Sequence, residues 1–462
     1  MRSKTMREIT LTEMLEAREK RALVQNKLIE KYGCPIICFT MNIPGPLKNS
    51  PLIERAFREG LAALGHRLPK STLLHCETES IPTGCTAFYA VDMDVLELKK
   101  ICTAIEDSCE LGRLFDMDVI DKNGNKLERN EVDGKDRGCI VCGAPGRGCA
   151  SRRIHNAQEL QKAAFGIISR HFARKDGEIA ASLAVTALLD EVCTTPKPGL
   201  VDSRNSGSHT DMDIFTFTRS AAFLQPYFME CHSIGRETAC LTPSETFILL
   251  REAGLKAEER MLSATNGINT HKGAIYTIGL LCGAMGRLWR PDDPASPTDD
   301  ILRECAMLVR ESARQDLEKI STGCGQTAGE KLYAELGLKG IRGEVSGGLP
   351  SVSGIALPVF KKLLDEGYSR NLAGAVTLIH LVASVDDTNL YHRGGTDGAR
   401  FASEYAESLI KNGYIPTPEQ IIEMDRQFIA RHLSPGGCAD LLAAAYFLYD
   451  FEKYHIINKK QV

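Results

Sequence analysis

Lys197-Pro198-Gly199-Leu200-Val201-Asp202-Ser203-Arg204-Asn205-Ser206-Gly207-Ser208-His209-Thr210-Asp211-Met212-Asp213 is the stretch on which the reading of this chain turns. It lies between two runs with apolar residues at helical spacing, 178–192 and 214–228, yet is itself built of turn formers and charges. Its glycines let backbone approach a ligand closely. Three carboxylates, a Lys, an Arg and a His are what a loop needs to hold a polyphosphate and its metal. The plainer reading is a solvated connection in which Asp211 or Asp213 caps the next helix. Both readings predict helix, loop, helix.

Outward from this stretch, strand signals almost vanish on its C-terminal side. Helical periodicity recurs over 244–262, 273–288, 299–319, 328–336, 353–364, 372–385, 398–411, 419–432 and 438–454, which predicts an all-α domain. Thr417-Pro418-Glu419-Gln420 reads as a capping box with Pro in the first turn. Toward the N-terminus the pattern changes to an α/β or α+β alternation. Thr10 and Glu13 predict a capping box on a helix that Gly33 ends, Ser50-Pro51 opens a second helix, and strands are expected at 35–43, 71–77, 86–92 and 112–121. A hairpin turn follows at Asn123-Gly124. The boundary is expected near the charged stretch Arg174-Lys175-Asp176-Gly177, giving domains 1–177 and 178–462.

The 462 residues are 43% hydrophobic, enough for two cores. The net charge of −4 hides a split. Residues 1–175 hold 28 Lys and Arg against 23 Asp and Glu, net +5, so the remainder is −9. Such a balance suits a phosphorylated substrate or acidic partner better than nucleic acid. No apolar segment is long enough to span a bilayer and the first residues do not read as a signal peptide, so a cytoplasmic protein is expected. Sixteen scattered Cys fit a reducing compartment.

Asp92-Met93-Asp94-Val95 and Asp116-Met117-Asp118-Val119 look alike but predict different things. The first precedes a helix and reads as a cap. The second lies in a strand, where residues two apart share a face, so Asp116 and Asp118 are brought together with nothing local to neutralise them. One or two Mg2+ ions would relieve that repulsion and clamp a phosphoryl or nucleotidyl transfer. Cys139-x2-Cys142, then Cys149 and His155, supply the ligand types of a structural Zn2+ site; three unbonded thiols in a turn are the alternative. Arg137, Arg147, Arg152 and Arg153 around them could meet phosphate or an acidic surface.

In the helical part the chemistry sits at helix ends. Asn269-Thr270-His271-Lys272-Gly273 leads into an apolar helix, where free N–H groups and Lys272 would form an anion site; Thr270 as an ordinary cap is the alternative. Asp386-Asp387 reads as a helix C-terminus, an unfavourable place for two carboxylates, with a metal or Arg393 offsetting the cost. The spacing sets His380, Ser384 and Asp387 on one helix face. Asp440 falls in the first turn after Ser434-Pro435-Gly436-Gly437.

Over nearly all of residues 1–175, the combination of Pro35-Ile36-Ile37-Cys38-Phe39-Thr40, Pro44-Gly45-Pro46-Leu47-Lys48, Gly112-Arg113-Leu114-Phe115-Asp116-Met117-Asp118-Val119 and the Cys cluster resembles apo-citrate lyase phosphoribosyl-dephospho-CoA transferase. That resemblance implies transfer of phosphoribosyl-dephospho-CoA to a Ser of the citrate lyase acyl carrier protein, with pyrophosphate released. Asp116 and Asp118 would then hold Mg2+ on the triphosphate, while Lys48 and Arg113 meet phosphate oxygens.

Residues 178–462 resemble triphosphoribosyl-dephospho-CoA synthase. The likeness rests on Pro198 to Asp202, Gly207 to Asp213, Asn269 to Gly273, Gly340 to Glu344, Asp387 to Asn389 with Arg393 to Gly395, and Ser434 to Asp440. It implies that the ribose 2'-hydroxyl of dephospho-CoA replaces adenine on ATP, making the other half's substrate. Joining ATP and dephospho-CoA this way requires a base, negative charge near the ribose and neutralisation of the triphosphate. The expected assignment has Asp211, Asp213 and Asp386 on Mg2+, Lys272, Arg204 and Arg393 with His209 at the phosphates, and Asp387, then Glu344, as base. The alternatives are the same chemistry serving malonate decarboxylase, a magnesium-dependent ADP-ribose-type glycohydrolase, and a non-enzymatic sensor of CoA metabolites.

Overall fold

The computed structural model describes residues 7–134, 137–144, 149, 152, 154–321, 337–338 and 340–460. The expected helix at 328–336, and Arg147 and Arg153, lie outside them. The chain divides into two compact units, Met1–Lys175 with Arg290–Asp293 and Asp176–Trp289 with Pro294–Val462.

In the first unit, β1 (Ile36–Met41), β2 (Leu73–Ile81), β3 (Gly84–Val91) and β4 (Phe115–Ile120) form one antiparallel sheet in the order β2-β3-β1-β4. This is the α+β form of the expectation: every neighbouring pair runs antiparallel. Ile36, Ile37 and Phe39 of β1 are buried, and Phe39 stacks on Phe57 at 4.6 Å. Phe57 belongs to the helix Pro51–Arg67, which the Ser50 side chain caps with Pro51 in its first turn. Thr10 and Glu13 form the expected capping box, and Gly33 closes that helix at φ 64°. Asp94 caps the helix Val95–Glu106.

The strand expected at 112–121 is shorter. Leu111–Leu114 is a 3-10 turn, and Arg137 donates to the Phe115 carbonyl at 2.8 Å where it gives way to β4.

In the second unit all described elements are helical. The helix Lys272–Leu288 is buried along most of its length and shares one apolar core with the helices Ile214–Glu237, Arg370–Ser384 and Gly436–Lys460. Thr417 and Gln420 form the expected box on Pro418–Ala430. The charged stretch Arg174 to Gly177, expected between two helical runs, is instead helical throughout, inside Ala157–Cys193. Its charges have local partners that remove any reason to break: Lys175 meets Glu59 at 2.6 Å, and Asp176 accepts from the Trp289 indole at 2.8 Å.

Asp386 and Asp387 do not end a helix together. The helix stops at Ser384, and Asp387 is the N-cap of the next, Thr388–Ile410. A carboxylate is favourable there, so no dipole cost needs offsetting, and His380 and Asp387 share no helix face. Among the described residues no helix is long and apolar enough to cross a membrane, and no disulfide joins the described cysteines.

Candidate active sites

A cavity of about 890 Å3 opens in the second unit. The first residues of three helices, starting at Lys272, Thr388 and Gly436, line it together with side chains of the 197–209 loop.

The loop is fixed by two buried carboxylates. Asp202 accepts from the Lys197 N–H at 2.9 Å and from the Arg204 and Asn205 N–H groups at 2.7 and 3.1 Å. Asp425 accepts from the Gly199 N–H at 2.9 Å and the Asn205 amide at 2.8 Å. Gly199 has φ +69°, and a Cβ there would stand 2.1 Å from the Leu433 carbonyl oxygen, so no side chain fits. Asp202 is thus spent on the loop's own backbone.

His209 turns into the cavity with both ring nitrogens engaged. Arg393 is 3.1 Å from Nδ1 and Ser434 Oγ is 3.0 Å from Nε2. Arginine only donates, so Nδ1 accepts and Nε2 carries the proton. Burial, and then the Arg393 charge, push the imidazole pKa down. Arg393 also donates to the Ser208 carbonyl at 3.1 Å.

Glu191, Lys197, Asp387 and Asp440 also line the cavity. Lys197, 1% exposed, makes a very short ion pair with Glu191. Asp387 Oδ1 accepts from the Asn389 N–H at 2.7 Å, and Oδ2 from the Cys438 N–H at 2.8 Å. Burial pushes the carboxyls of Glu191 and Asp387 up. Asp440 is raised well above its ordinary value by burial, then by the charges of Glu191 and Asp387, and it accepts from the Ala274 N–H. The helix start at 272 therefore has its Ala274 N–H occupied by Asp440, and Asn269, not Thr270, accepts from the Lys272 N–H at 3.3 Å. Several carboxyls displaced in one direction within a cavity make it a candidate functional site.

His271 is buried beside them. Ser220 Oγ lies 2.7 Å from Nδ1, while the buried Nε2 has no hydrogen-bond partner. Burial, then Lys197, hold its pKa down at about 3, so the ring is neutral. Lys272, 62% exposed at its side chain, pairs with Glu258 at 2.8 Å. Glu344 accepts from the Ser351 hydroxyl at 2.7 Å, and exposed Asp386 from the Tyr391 hydroxyl at 3.2 Å.

Of the residues singled out in the sequence, His209, Lys272, Glu344, Asp386, Asp387 and Arg393 line this cavity; Arg204, Asp211 and Asp213 are not in its lining. Asp213 caps the helix Ile214–Glu237 through Thr216. Glu191 was missed because it stands inside an amphipathic run, and its pairing with Lys197 follows from a turn that no motif announces.

In the first unit Asp116 and Asp118 share one face of β4, paired with Thr40 and Cys38 of β1. A local neutraliser does exist: Lys126, carried back by the turn at Asn123-Gly124, meets Asp118 at 2.7 Å. Asp116 stays exposed, yet the protein around it and then the Asp118 charge push its carboxyl up. Lys48 donates to the Ile43 carbonyl at 2.5 Å and Arg113 to the Gly138 carbonyl at 2.6 Å. Cys139, Cys142, Cys149 and His155 each bring one ligand atom within 4.8 Å of the others, the one such group of three or more among the described residues. They can hold a metal ion.

An acidic pair on a sheet in one unit and an acid-lined helical cavity in the other fit a transferase with two activities. Residues 178–459 match the family CitG, ATP:dephospho-CoA triphosphoribosyl transferase, and residues 9–171 match CitX, apo-citrate lyase phosphoribosyl-dephospho-CoA transferase. Protein CitXG of Haemophilus influenzae is 34% identical over 96% of this chain and 96% of its own length. Protein CitXG of Leuconostoc mesenteroides subsp. cremoris is 31% identical over 95% of this chain and 97% of its own. The 2-(5''-triphosphoribosyl)-3'-dephosphocoenzyme-A synthase of Klebsiella pneumoniae is 41% identical, covering 59% of this chain and 91% of its own. The chain belongs to the CitXG family of bifunctional transferases, with triphosphoribosyl-dephospho-CoA synthase and holo-citrate lyase synthase activities.

Proposed function

We propose that the helical cavity performs the adenine-displacing step, that the Asp116 and Asp118 face performs the transfer, and that Mg2+ serves both. The observation that carries this reading is the meeting, in one cavity, of His209, Lys272 and Arg393 with the carboxyls of Glu191, Asp387 and Asp440.

Positive charge develops at the ribose carbon as adenine leaves, and the triphosphate needs neutralising. Lys272 and Arg393 face the phosphates, with Arg393 holding His209 in the tautomer whose Nε2 donates. The unpartnered Nε2 of His271 is assigned to a polar atom of the bound nucleotide. Asp386, exposed at the cavity, offers oxygens to Mg2+ as the expected member of the set that lines it, whereas Asp213 Oδ1 accepts from Thr216. Asp387 has both oxygens held by backbone N–H groups and Glu344 has both held by Ser351, so the base is assigned to one of these two fixed carboxylates, Asp387 or Glu344. Asp440, whose carboxyl burial and the neighbouring Glu191 and Asp387 charges push up, is the acid assigned to protonate the departing adenine.

In the first unit, a nucleotidyltransferase-like sheet presents Asp116 and Asp118 to Mg2+ on the triphosphate, with Lys48 and Arg113 at its oxygens. Lys126, 2.7 Å from Asp118, holds that carboxylate in place and would give it up to a bound cation. The acceptor is a Ser of the citrate lyase acyl carrier protein, met by the basic unit in the cytoplasm. The Cys139, Cys142, Cys149 and His155 group takes Zn2+. Covalent union of the two units keeps a scarce intermediate near its next site.

The test supplies purified protein with ATP, dephospho-CoA and Mg2+, follows free adenine, then adds apo-carrier from citrate lyase or from malonate decarboxylase and weighs it. Adenine release and a mass gain on the citrate lyase carrier are expected. Absence of adenine overturns the first assignment, labelling of the malonate carrier alone overturns the second, and hydrolysis of ADP-ribose instead identifies a glycohydrolase.

A further inference from the structure

Cys139, Cys142, Cys149 and His155 lie in the first unit outside the Asp116 and Asp118 pair, and their arrangement is that of a built metal knuckle. The Cys139 sulfur accepts from the Val141 N–H at 3.4 Å, and the turn is closed by Gly143 N–H to the Cys139 carbonyl at 2.9 Å and Cys139 N–H to the Ala144 carbonyl at 2.6 Å. Backbone donors aimed at a sulfur stabilise a thiolate, the form that ligates. Cys142 and Cys149 sulfurs are 3.4 Å apart, far beyond the ~2.05 Å of a disulfide. His155 has a buried Nε2 with no partner, while its Nδ1 faces the Glu159 carboxylate at 3.9 Å. A ligating His commonly has one nitrogen on the metal and the other toward a carboxylate. Three thiols and one imidazole select Zn2+ in tetrahedral geometry.

The residues just before Cys139 reach the transfer site. Arg137 lies 2.8 Å from Glu106 and donates to the Phe115 carbonyl at 2.8 Å, at the head of the strand that carries Asp116. Glu106 in turn accepts from the Met117 N–H at 2.7 Å, between the two aspartates. The carbonyl of Gly138 receives Arg113 at 2.6 Å.

Resting on the zinc reading above, we infer that Zn2+ in this knuckle is the brace that holds Arg137 and Arg113 against the Asp116 and Asp118 strand, so that the ion governs carrier labelling and not adenine release. Cys139 is the joint: fixing its sulfur fixes Gly138 and Arg137, and through them the placement of Arg113. The zinc is a positioning element and touches no reacting atom.

The full chain, purified without chelator, should contain about one zinc ion per chain by elemental analysis. Cys139→Ser and Cys149→Ser should lose the ion and lower carrier labelling about 10–100-fold, while adenine release stays as in the parent and reports an intact second unit. His155→Cys should keep both metal and labelling, because four thiolates also bind zinc, whereas His155→Ala should lose both. Replacement by Co2+ should give the intense visible bands of tetrahedral thiolate ligation, and returning Zn2+ to chelated parent protein should restore labelling. A parent protein without zinc, or cobalt without those bands, overturns the metal site itself. Zinc present in the parent but normal labelling in Cys139→Ser overturns the brace and leaves the metal standing.

Discussion

Gly273 and Asp440 are so close that a Cβ on the glycine would stand 1.8 Å from Asp440 Oδ2. The carboxyl from one helix start lies on the N-terminal backbone of another, and the absence of a side chain is what admits it. Gly273→Ala should therefore displace the acid assigned to the adenine-releasing step. We expect adenine release to fall by roughly 100-fold, the cost of about 1 Å of misplacement, with pyrophosphate release from supplied intermediate unchanged. High-performance liquid chromatography of free adenine checks this, and parental turnover removes Asp440 from the mechanism.

Asp440 also predicts how stability depends on pH. Its folded pKa is raised well above that of an ordinary carboxyl, about 3.9 when unfolded, so the native state binds the proton more tightly. Stability must then decline as pH rises above about 4. Asp440→Asn removes that decline, so the melting temperature of the variant minus that of the parent should grow as pH rises above about 4. Thermal melts across this window decide it; a flat difference means that Asp440 ionises like an exposed acid.

Asp116→Asn and Asp118→Asn should each lower carrier labelling at least about 100-fold, the scale of several kcal/mol that a metal's charge supplies. Adenine release should be untouched. Lys126→Ala should instead lower the Mg2+ concentration giving half-maximal labelling, because the ammonium group 2.7 Å from Asp118 no longer competes with the cation. A magnesium titration of the three variants is the measurement, and an unchanged Lys126→Ala curve argues that the ion does not use Asp118.

Asp425→Ala strands the Gly199 N–H and the Asn205 amide, which that carboxylate holds at 2.9 and 2.8 Å. An unsatisfied buried donor costs about 1–3 kcal/mol, which lowers the melting temperature by roughly 2–10 °C. Because the same loop carries His209, the KM for ATP should rise as well. Calorimetry and initial rates together test this; a thermal loss with an unchanged KM confines Asp425 to stability.

Much of this architecture was legible from local chemistry. Thr10 with Glu13, Ser50 with Pro51, Asp94 and Thr417 with Gln420 cap helices because each supplies an oxygen to N–H groups within three residues, a relation that sequence displays directly. The cavity residues His209, Lys272, Asp387 and Arg393 were legible as types in special turns. Long-range pairings were not. Asp387 reads as a helix end because Ser384 and Asp387 continue a helical spacing, and only the Cys438 N–H, fifty-one positions away, shows what holds it as a cap. Asp118 looked unneutralised because Lys126 returns to it through a turn. Asp211 and Asp213 carried the right charge for a metal, but spacing alone could not distinguish a ligand from the cap that Asp213 provides.

The loop from Lys197 to His209 is held from within by Asp202 and from the side by Asp425, with Gly199 seated where nothing larger fits. It works like a jig whose clamps are closed in advance. The entropy of ordering it is settled once, when the chain folds, so a nucleotide bound as proposed would meet a finished mould and need not shape one at each turnover.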